Sequence, residues 1–395
     1  MKKILSEKAL QLKPSATLAI SAKEKELKSQ GVDVVGFGAG EPDFPTPERI
    51  REAAKRSLDR CETFYTPVGG TPELKKAVTH RFYEDYQLVY SPDQILISCG
   101  AKHSLYNIFH AILDPGDEVL IFAPYWVSYP EMVGLAEGKP VIVPTTEENL
   151  FVPDPEIVAS LITGSTKAML INSPSNPSGV VYPNSVMEKL AELAEKHDLL
   201  VISDEIYDKL IYDDRKFTPF ASIAGMKDRT ITVNGVSKTY AMTGLRIGYL
   251  ASTNAQIVKA ATDIQSQSTS NPSNPSQAAA VEALLGPQDE VLHRRQIFEQ
   301  RRNVMTNQLR DIPGISLVKP GGTFYVFANL SVFMGKNGIM NSTDFSTYLL
   351  EKYHVACVPG GPFGFDQHVR LSFASSEEVI AKGLDRIRVA CQELR

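Results

Sequence analysis

The sequence predicts an α/β fold: a mostly parallel sheet wrapped by helices on both faces, followed by a smaller α+β part. Three observations carry this. Short apolar runs recur along the chain, helix-period segments lie between several of them, and the rhythm changes after the Pro/Ser/Asn-rich stretch Ser268–Ser276, which reads as a loop. The runs are Ile95–Ile97, Glu118–Phe122, Ala168–Ile171, Leu199–Ile202, Thr230–Val233 and Ile247–Leu250. Continuous apolar character is what strands buried on both faces require. The clearest helix is Ser185–His197, with Val186, Leu190, Leu193 and Ala194 on one face and Glu188, Lys189, Glu192, Glu195 and Lys196 on the other. Strand, helix and strand repeated in this way build a doubly covered sheet.

Beyond the loop, a long polar helix is expected around Val291–Leu309, then a strand at Thr323–Phe327, a helix near Thr343–Tyr353, a strand at Val369–Phe373 and a last helix from Ser376 to about Cys391. The first 45 residues, with Pro42 and Pro45 and then Pro47 as helix breakers, read as an arm and a loop. At 395 residues the chain has room for two or three domains of about 150 residues. A 43% hydrophobic share supplies a large core; 22% charged residues, 26 Gly, 25 Pro and 4 Cys exclude disordered, collagen-like and disulfide-scaffold classes. Forty-one basic against 46 acidic residues give a net charge of −5, which argues for a small partner and against nucleic acid or an anionic membrane.

Cys61, Cys99, Cys357 and Cys391 form no CxxC, and no pair of histidines has HExxH spacing, so neither a metal nor a redox dithiol is expected. Ser6, Glu7 and Lys8 interrupt the run after Met1–Leu5 before a signal-peptide core forms, and no apolar stretch approaches the roughly 18 residues of a membrane span. A cytoplasmic protein is the expectation.

Ligand sites in such sheets lie at the carboxyl ends of the strands, so the residues after each run matter most. Gly36–Gly40 suggests a dinucleotide loop, but Glu41-Pro42-Asp43 follows where a helix is needed, and a plain Gly-rich turn is the better reading. No GxxxxGK[ST] exists. After Thr230–Val233 comes Gly235-Val-Ser-Lys-Thr-Tyr-Ala-Met-Thr-Gly-Leu-Arg-Ile-Gly248, with Lys238 and, eight positions on, Arg246. A lysine can form a Schiff base with a carbonyl cofactor and an arginine can clamp its phosphate; alone, a solvated surface pair is the plainer account. Leu199–Ile202 leads to Asp204 and Tyr207, a carboxylate for a pyridinium nitrogen and a phenol for a ring oxygen, although for Asp204 in isolation a helix N-cap is the better reading. Ala168–Ile171 leads to Asn176 in a Pro-rich turn, and Glu118–Phe122 leads to Trp126, the single tryptophan, where a planar ring could stack.

With these residues in place, the chain resembles the class I pyridoxal-phosphate (PLP) aminotransferases, within the fold-type I PLP enzymes. Gly235–Gly248 fits that family's lysine signature at every fixed position, and the resemblance runs from Lys13-Pro14-Ser15 to Arg370-Leu371-Ser372. In Gly38–Phe44, Asp114–Val119, Pro124–Tyr129 and Ala241–Gly244 it is most similar to the second-subgroup bacterial aspartate aminotransferases. The resemblance implies a large PLP-binding domain at 46–285 with a mostly parallel seven-stranded sheet between helices. It implies a small α+β domain at 286–395, to which the arm at 1–45 contributes.

The resemblance further implies that Lys238 holds PLP as a Schiff base and moves the proton at the substrate α-carbon. Asp204 keeps the pyridine nitrogen protonated, Tyr207 and Asn176 hydrogen-bond the ring oxygen, and Trp126 stacks on the ring. Arg246, Ser237, the amides at Gly100, Ala101 and Lys102, and Tyr65 from a partner subunit hold the phosphate, which implies a homodimer with shared sites. Gly235 stands where some members carry a phosphate-binding serine, and His103 is left as structural. Arg370 clamps the substrate α-carboxylate with the backbone of Gly40, its planar fork suiting a carboxylate. The better-known aspartate aminotransferases bind the distal carboxylate with a neighbour's arginine from a loop that reads Ile264–Ser270 here, without arginine. Lys102 takes that role in the second subgroup, with Ser15 and Thr17 as lid contacts. The implied reaction is ping-pong transfer from L-aspartate to 2-oxoglutarate, the alternative being a broader enzyme acting on aromatic or prephenate-type keto acids.

Overall fold

The computed structural model describes residues 4–12 and 16–395, with the side chains of residues 7, 11, 16–18 and 21 left aside. Its centre is a seven-stranded sheet in the order Ile95–Ser98, Gly248–Ala251, Thr230–Gly235, Leu200–Asp204, Thr166–Asn172, Glu118–Phe122 and Lys139–Val143. Gly248–Ala251 alone runs against the others. Alternate residues of one strand enter opposite layers, because successive side chains leave a strand on opposite faces. Ala168 and Leu170 pack with Leu105, Ile108 and Phe109 of helix Ala101–Ile112, whereas Met169 and Ile171 pack with Leu190, Ala191 and Ala194 of helix Asn184–Lys196. Two covered faces explain why these strands read as unbroken apolar runs.

Three sequence expectations need adjustment. The core stripe of helix Asn184–Lys196 is Met187, Leu190, Ala191 and Ala194; Val186 and Leu193 are only partly buried against it. That set is the i, i+3, i+4, i+7 pattern of one helix face, so the stripe is turned slightly from the expected one. Helices Glu7–Gln11 and Ala16–Ser29 lie within the expected arm. Pro42, Pro45 and Pro47 all follow Ser29 and break neither, and pairs Lys23–Glu26 and Lys28–Glu24 brace the second. The expected loop at Ser268–Ser276 is only residues 269–273, because helix Ala255–Ser268 runs into it and helix Asn274–Leu285 starts within it.

The seventh strand, Lys139–Val143, leaves no clear run in the sequence. It is the sheet edge, carries Lys139 and Pro140 and is half exposed, the marks of a strand that pairs on one side only.

A four-stranded antiparallel sheet, Val358–Pro359, His368–Ser372, Tyr325–Asn329 and Ser316–Leu317, forms a second layer with helices Asp289–Arg310, Ser342–Tyr353 and Glu377–Glu393. Val35–Gly36 pairs in parallel with Val355–Ala356, so an early segment joins the late ones. Ile206, Tyr207 and Leu210, just beyond the central strand, belong to the same core cluster as Phe324, Tyr325 and Leu371. The two sheets therefore meet at the tip of Leu200–Asp204.

A close backbone approach seats helix Ala101–Ile112 on the large sheet. Gly248 lies under the helix start, where a Cβ would overlap the Ala101 amide nitrogen and the Gly100 carbonyl carbon. Its register partner Gly235 would put a Cβ 2.9 Å from the Gly248 Cα. Two absent side chains let the helix descend onto the sheet. Gly248→Ala is expected to cost about 1–3 kcal/mol in urea unfolding, as overpacking does. Gly164→Ala, with nothing within 4 Å of its Cβ, is the control and should leave the midpoint in place.

Candidate active site

The carboxyl ends of four parallel strands open into one cavity of about 600 Å³. Lys238 enters from the loop after Thr230–Gly235 and donates from Nζ to the carbonyl of Gly40. Burial and the charges of Arg370 and Arg246 disfavour its ammonium form and push its pKa from 10.5 down to about 8, against the opposing pull of Glu41 and Asp204. Asp204 ends its strand and is 3% exposed. It accepts from the Tyr129 hydroxyl at 2.7 Å and the Ile206 N–H at 3.3 Å, an arrangement within a turn and not a helix cap. Burial raises its carboxyl to about 6, while those two bonds and Lys238 limit the rise.

Asn172, in register with Asp204, ties the strand tips together. Its Nδ2 donates to the Asp204 carbonyl at 3.0 Å and its Oδ1 accepts from the Asn176 N–H at 2.9 Å. Asn176 in turn accepts from Arg370 Nη1 at 3.0 Å, and Arg370 Nη2 donates to the Gly38 carbonyl at 3.0 Å. The Arg370 guanidinium is buried 4.3 Å from the centre of the Tyr325 ring, and its Nε has no partner among the described residues. The Tyr207 and Tyr325 hydroxyls lie 3.0 Å apart; burial raises both phenol pKa values, so both keep their protons.

At the other end, Arg246 donates to the Thr243 carbonyl at 2.8 Å and lies against Gly100. Gly100 has φ near +90°, which favours glycine, and a Cβ there would displace the guanidinium. Ala101 and Lys102, the first helical residues, have amides with no intrahelical acceptor. The Lys102 ammonium lies 4.7 Å from the Trp126 ring centre, and partial burial with the charge of Arg246 lowers its pKa. Trp126 meets Tyr129 edge-on at 5.3 Å.

Gly40, Ala101, Lys102, Trp126, Asn176, Asp204, Tyr207, Ser237, Lys238, Arg246 and Arg370 thus line one cavity, with Gly100 directly behind Arg246. Tyr65 does not join them: it is 90% exposed. Ser15 lies outside the described residues, as does the side chain of Thr17. Gly235 faces the Gly248 backbone, so a serine there has no room. Ile264–Ser268 belongs to a helix, not a loop, and Gln265 is spent on the Val68 and Ile97 carbonyls, each at 2.8 Å.

Sequence reasoning missed Asn172, Tyr129, Tyr325 and Glu41. Asn172 is a strand-tip residue like Asp204, and the same rule would have found it. Tyr129 follows a tip by seven residues, whereas Tyr325 comes from the second sheet and carries no local signal.

An amine of lowered pKa, a buried carboxylate and two separate arginines in one cavity form a site of the kind enzymes use on anionic ligands. Residues 32–387 match the model of the aminotransferase class I and II family. The chain is 47% identical to an aspartate aminotransferase of Bacillus sp. (strain YM-2), over 98% of this chain and 99% of that one. It is 46% identical to a probable aspartate/prephenate aminotransferase of Thermus aquaticus, over 98% and 99%. Among solved structures, the aspartate aminotransferase of Rhizobium meliloti superposes with a TM-score of 0.94 at 42% identity, covering 99% of each chain. That of Thermus thermophilus with maleate gives 0.93 at 43%, covering 98% and 100%. The chain belongs to the class I and II aminotransferase family, and it is an aminotransferase.

Competitive acetylation followed by mass spectrometry should show Lys238 half-reactive near pH 8 in the protein freed of any bound carbonyl compound. A midpoint at the ordinary lysine value of about 10.4 would contradict these electrostatics.

Proposed function

We propose that this chain uses pyridoxal phosphate to transfer the amino group of L-aspartate to 2-oxoglutarate, giving oxaloacetate and L-glutamate. The observation that carries this is the Lys238 amine in one cavity with Asp204, Arg246 and Arg370. The residues fit the cofactor. Arg246, the side-chain-free cradle at Gly100 and the free amides of Ala101 and Lys102 suit a phosphate at a helix start. Trp126 offers an aromatic face, Asp204 a buried carboxylate, and Ser237 a buried hydroxyl. When bound, pyridoxal phosphate supplies an electron-withdrawing ring that takes up the charge left when an amino acid loses its α-proton.

The chain's own groups do the rest. Lys238 Nζ, with its pKa near 8, takes a proton at the substrate α-carbon and returns it. Asp204 holds a protonated ring nitrogen, its carboxylate kept in place by Tyr129. Tyr207 and Asn176 donate to the ring oxygen, Asn176 through its amide. Arg370 binds the α-carboxylate, to which its unpartnered Nε is suited, with Gly40 alongside. Lys102 receives the distal carboxylate, with Ser15 and Thr17 as lid contacts. The names of the relatives support aspartate, and the maleate in the Thermus thermophilus structure is a dicarboxylate of similar length. The aspartate/prephenate relatives support a second reading in which prephenate-type keto acids are also accepted.

The same reading makes the enzyme a cytoplasmic homodimer in which Tyr65 reaches the partner's phosphate site; Phe64 and Tyr65, 81% and 90% exposed, support an interface there. It divides each chain at 46–285 and 286–395, with 1–45 joining the small domain. Among the described residues no helix is long and apolar enough to cross a membrane.

Added pyridoxal phosphate should quench the fluorescence of Trp126, and borohydride should then fix the label on Lys238; a protein that takes up none overturns the proposal. Lys102→Ala should lower kcat/KM for aspartate about 10- to 100-fold, the loss of a charged hydrogen bond of about 1.5–3 kcal/mol. Alanine and phenylalanine should be affected far less. Equal losses for all three donors would remove Lys102 from the distal site. Prephenate and oxaloacetate compared as acceptors decide the second reading.

A further inference from the structure

Strand Leu200–Asp204 is followed at once by a second acid, and the two carboxyl groups leave the backbone on opposite sides. Asp204 faces the cavity. Glu205 lies behind it, 1% exposed, and its Oε1 accepts from the Ser203 hydroxyl at 2.8 Å and the Phe220 N–H at 3.1 Å. Its Oε2 has no hydrogen-bond partner among the described residues. The Tyr90 hydroxyl feels the charge of Glu205 and interacts with the hydroxyl of Thr232, which lies in register with Ser203 on the next strand.

The charges around Glu205 offer it no counter-ion. The charged groups acting on it most strongly are two other carboxylates, Asp208 and Asp204. Asp208 accepts from the Tyr86 hydroxyl at 2.5 Å and is balanced in part by Lys209. The neighbouring cations are committed elsewhere: Lys209 to Asp85 at 2.7 Å, Arg81 to Asp85 at 2.8 Å, and Lys227 to the Val89 carbonyl at 2.7 Å while lying over the Tyr90 ring. Asp228, near Tyr90, adds a further negative charge, and Tyr240 and Tyr249 are neutral phenols whose pKa values burial raises. Among the described residues Glu205 forms no ion pair. A buried carboxylate in such surroundings is costly, whereas the neutral acid gains a donor.

We propose that Glu205 is held as the neutral acid behind the cavity and so sets the charge of Asp204, leaving Asp204 as the carboxylate of this strand tip that ionises toward the site. Glu205 touches neither substrate nor cofactor; it is a positioning residue that acts through its neighbour. Burial pushes its carboxyl up to about 8 and that of Asp204 to about 6, the order the geometry requires. What the Asp204 charge is used for rests on the proposed cofactor. The protonation of Glu205 does not.

Infrared spectra of the full-length protein with ¹³C-carboxyl glutamate test this. A protonated-carboxyl C=O band should be present at neutral pH, absent from Glu205→Gln, and should fade as pH rises through about 8. In Asp204→Asn, one negative neighbour is gone and the band should fade at lower pH. Absence of a Glu205-dependent band, or an unmoved midpoint in Asp204→Asn, overturns the proposal. Stability gives an independent readout. A carboxyl raised in the folded state contributes stability that is fully present below its unfolded pKa of about 4.5 and is lost as pH rises through about 8. The wild-type melting temperature should therefore fall relative to Glu205→Gln across that window, and a constant difference counts against the proposal. If the protein takes up no pyridoxal phosphate but the band and its shift are seen, the cofactor reading fails and this inference stands.

Discussion

Two cations, Arg370 buried and Lys238 half-buried, donate to the carbonyls of one short loop, and most of the site depends on that arrangement. Lys238 donates to Gly40 and Arg370 to Gly38, two residues apart. A full positive charge taken out of water costs several kcal/mol unless it is paired or neutralised. Arg370 meets this cost with the Gly38 carbonyl, Asn176 and the face of Tyr325. Lys238 meets it by lowering its pKa. The like charge of Arg370 thus helps lower the Lys238 pKa, and the Gly36–Gly40 turn accepts from both groups.

The sheet explains why so many of these residues meet. Parallel strands point their carboxyl ends the same way, so Trp126, Asn176, Asp204 and Lys238, which lie far apart in the chain, reach one cavity. Arg246, Lys102, Arg370 and Lys238 bring positive charge to it, facing Asp204 and Glu41. This balance suits the anionic ligands proposed for the site. Glu205 fits the same economy of charge, since a second anion at the Leu200–Asp204 tip would compete with Asp204 for its protonation state.

Legibility in the sequence follows the range of the interactions. The central strands are readable because burial on both faces demands unbroken apolar runs, and the edge strand Lys139–Val143 is not, because half exposure relaxes that demand. Lys238 and Arg246 lie in a single fourteen-residue motif, and Asp204 and Asn176 follow strands directly. Tyr129 and Tyr325 are invisible because each acts across the fold: Tyr129 reaches Asp204 from a separate helix, and Tyr325 reaches Tyr207 from the other sheet. The Gly36–Gly40 run reads as a turn without a task, since nothing local reveals that its carbonyls accept from residues about 200 and 330 positions later. The helix Ala16–Ser29 is overshadowed by prolines that fall after it.

By itself the sequence determined the fold class and the family and pointed to Lys238 and the strand-tip residues, because these depend on local periodicity and contiguous motifs. Only the tertiary structure decided the protonation of Lys238, Asp204 and Glu205, the pairing of Arg370 with Asn176, and the preference for glycine at 100 and the need for it at 248. Each of these depends on burial and on distances between segments remote in the chain. A pKa or a steric clash belongs to a surrounding, and the surrounding exists only once the chain has folded.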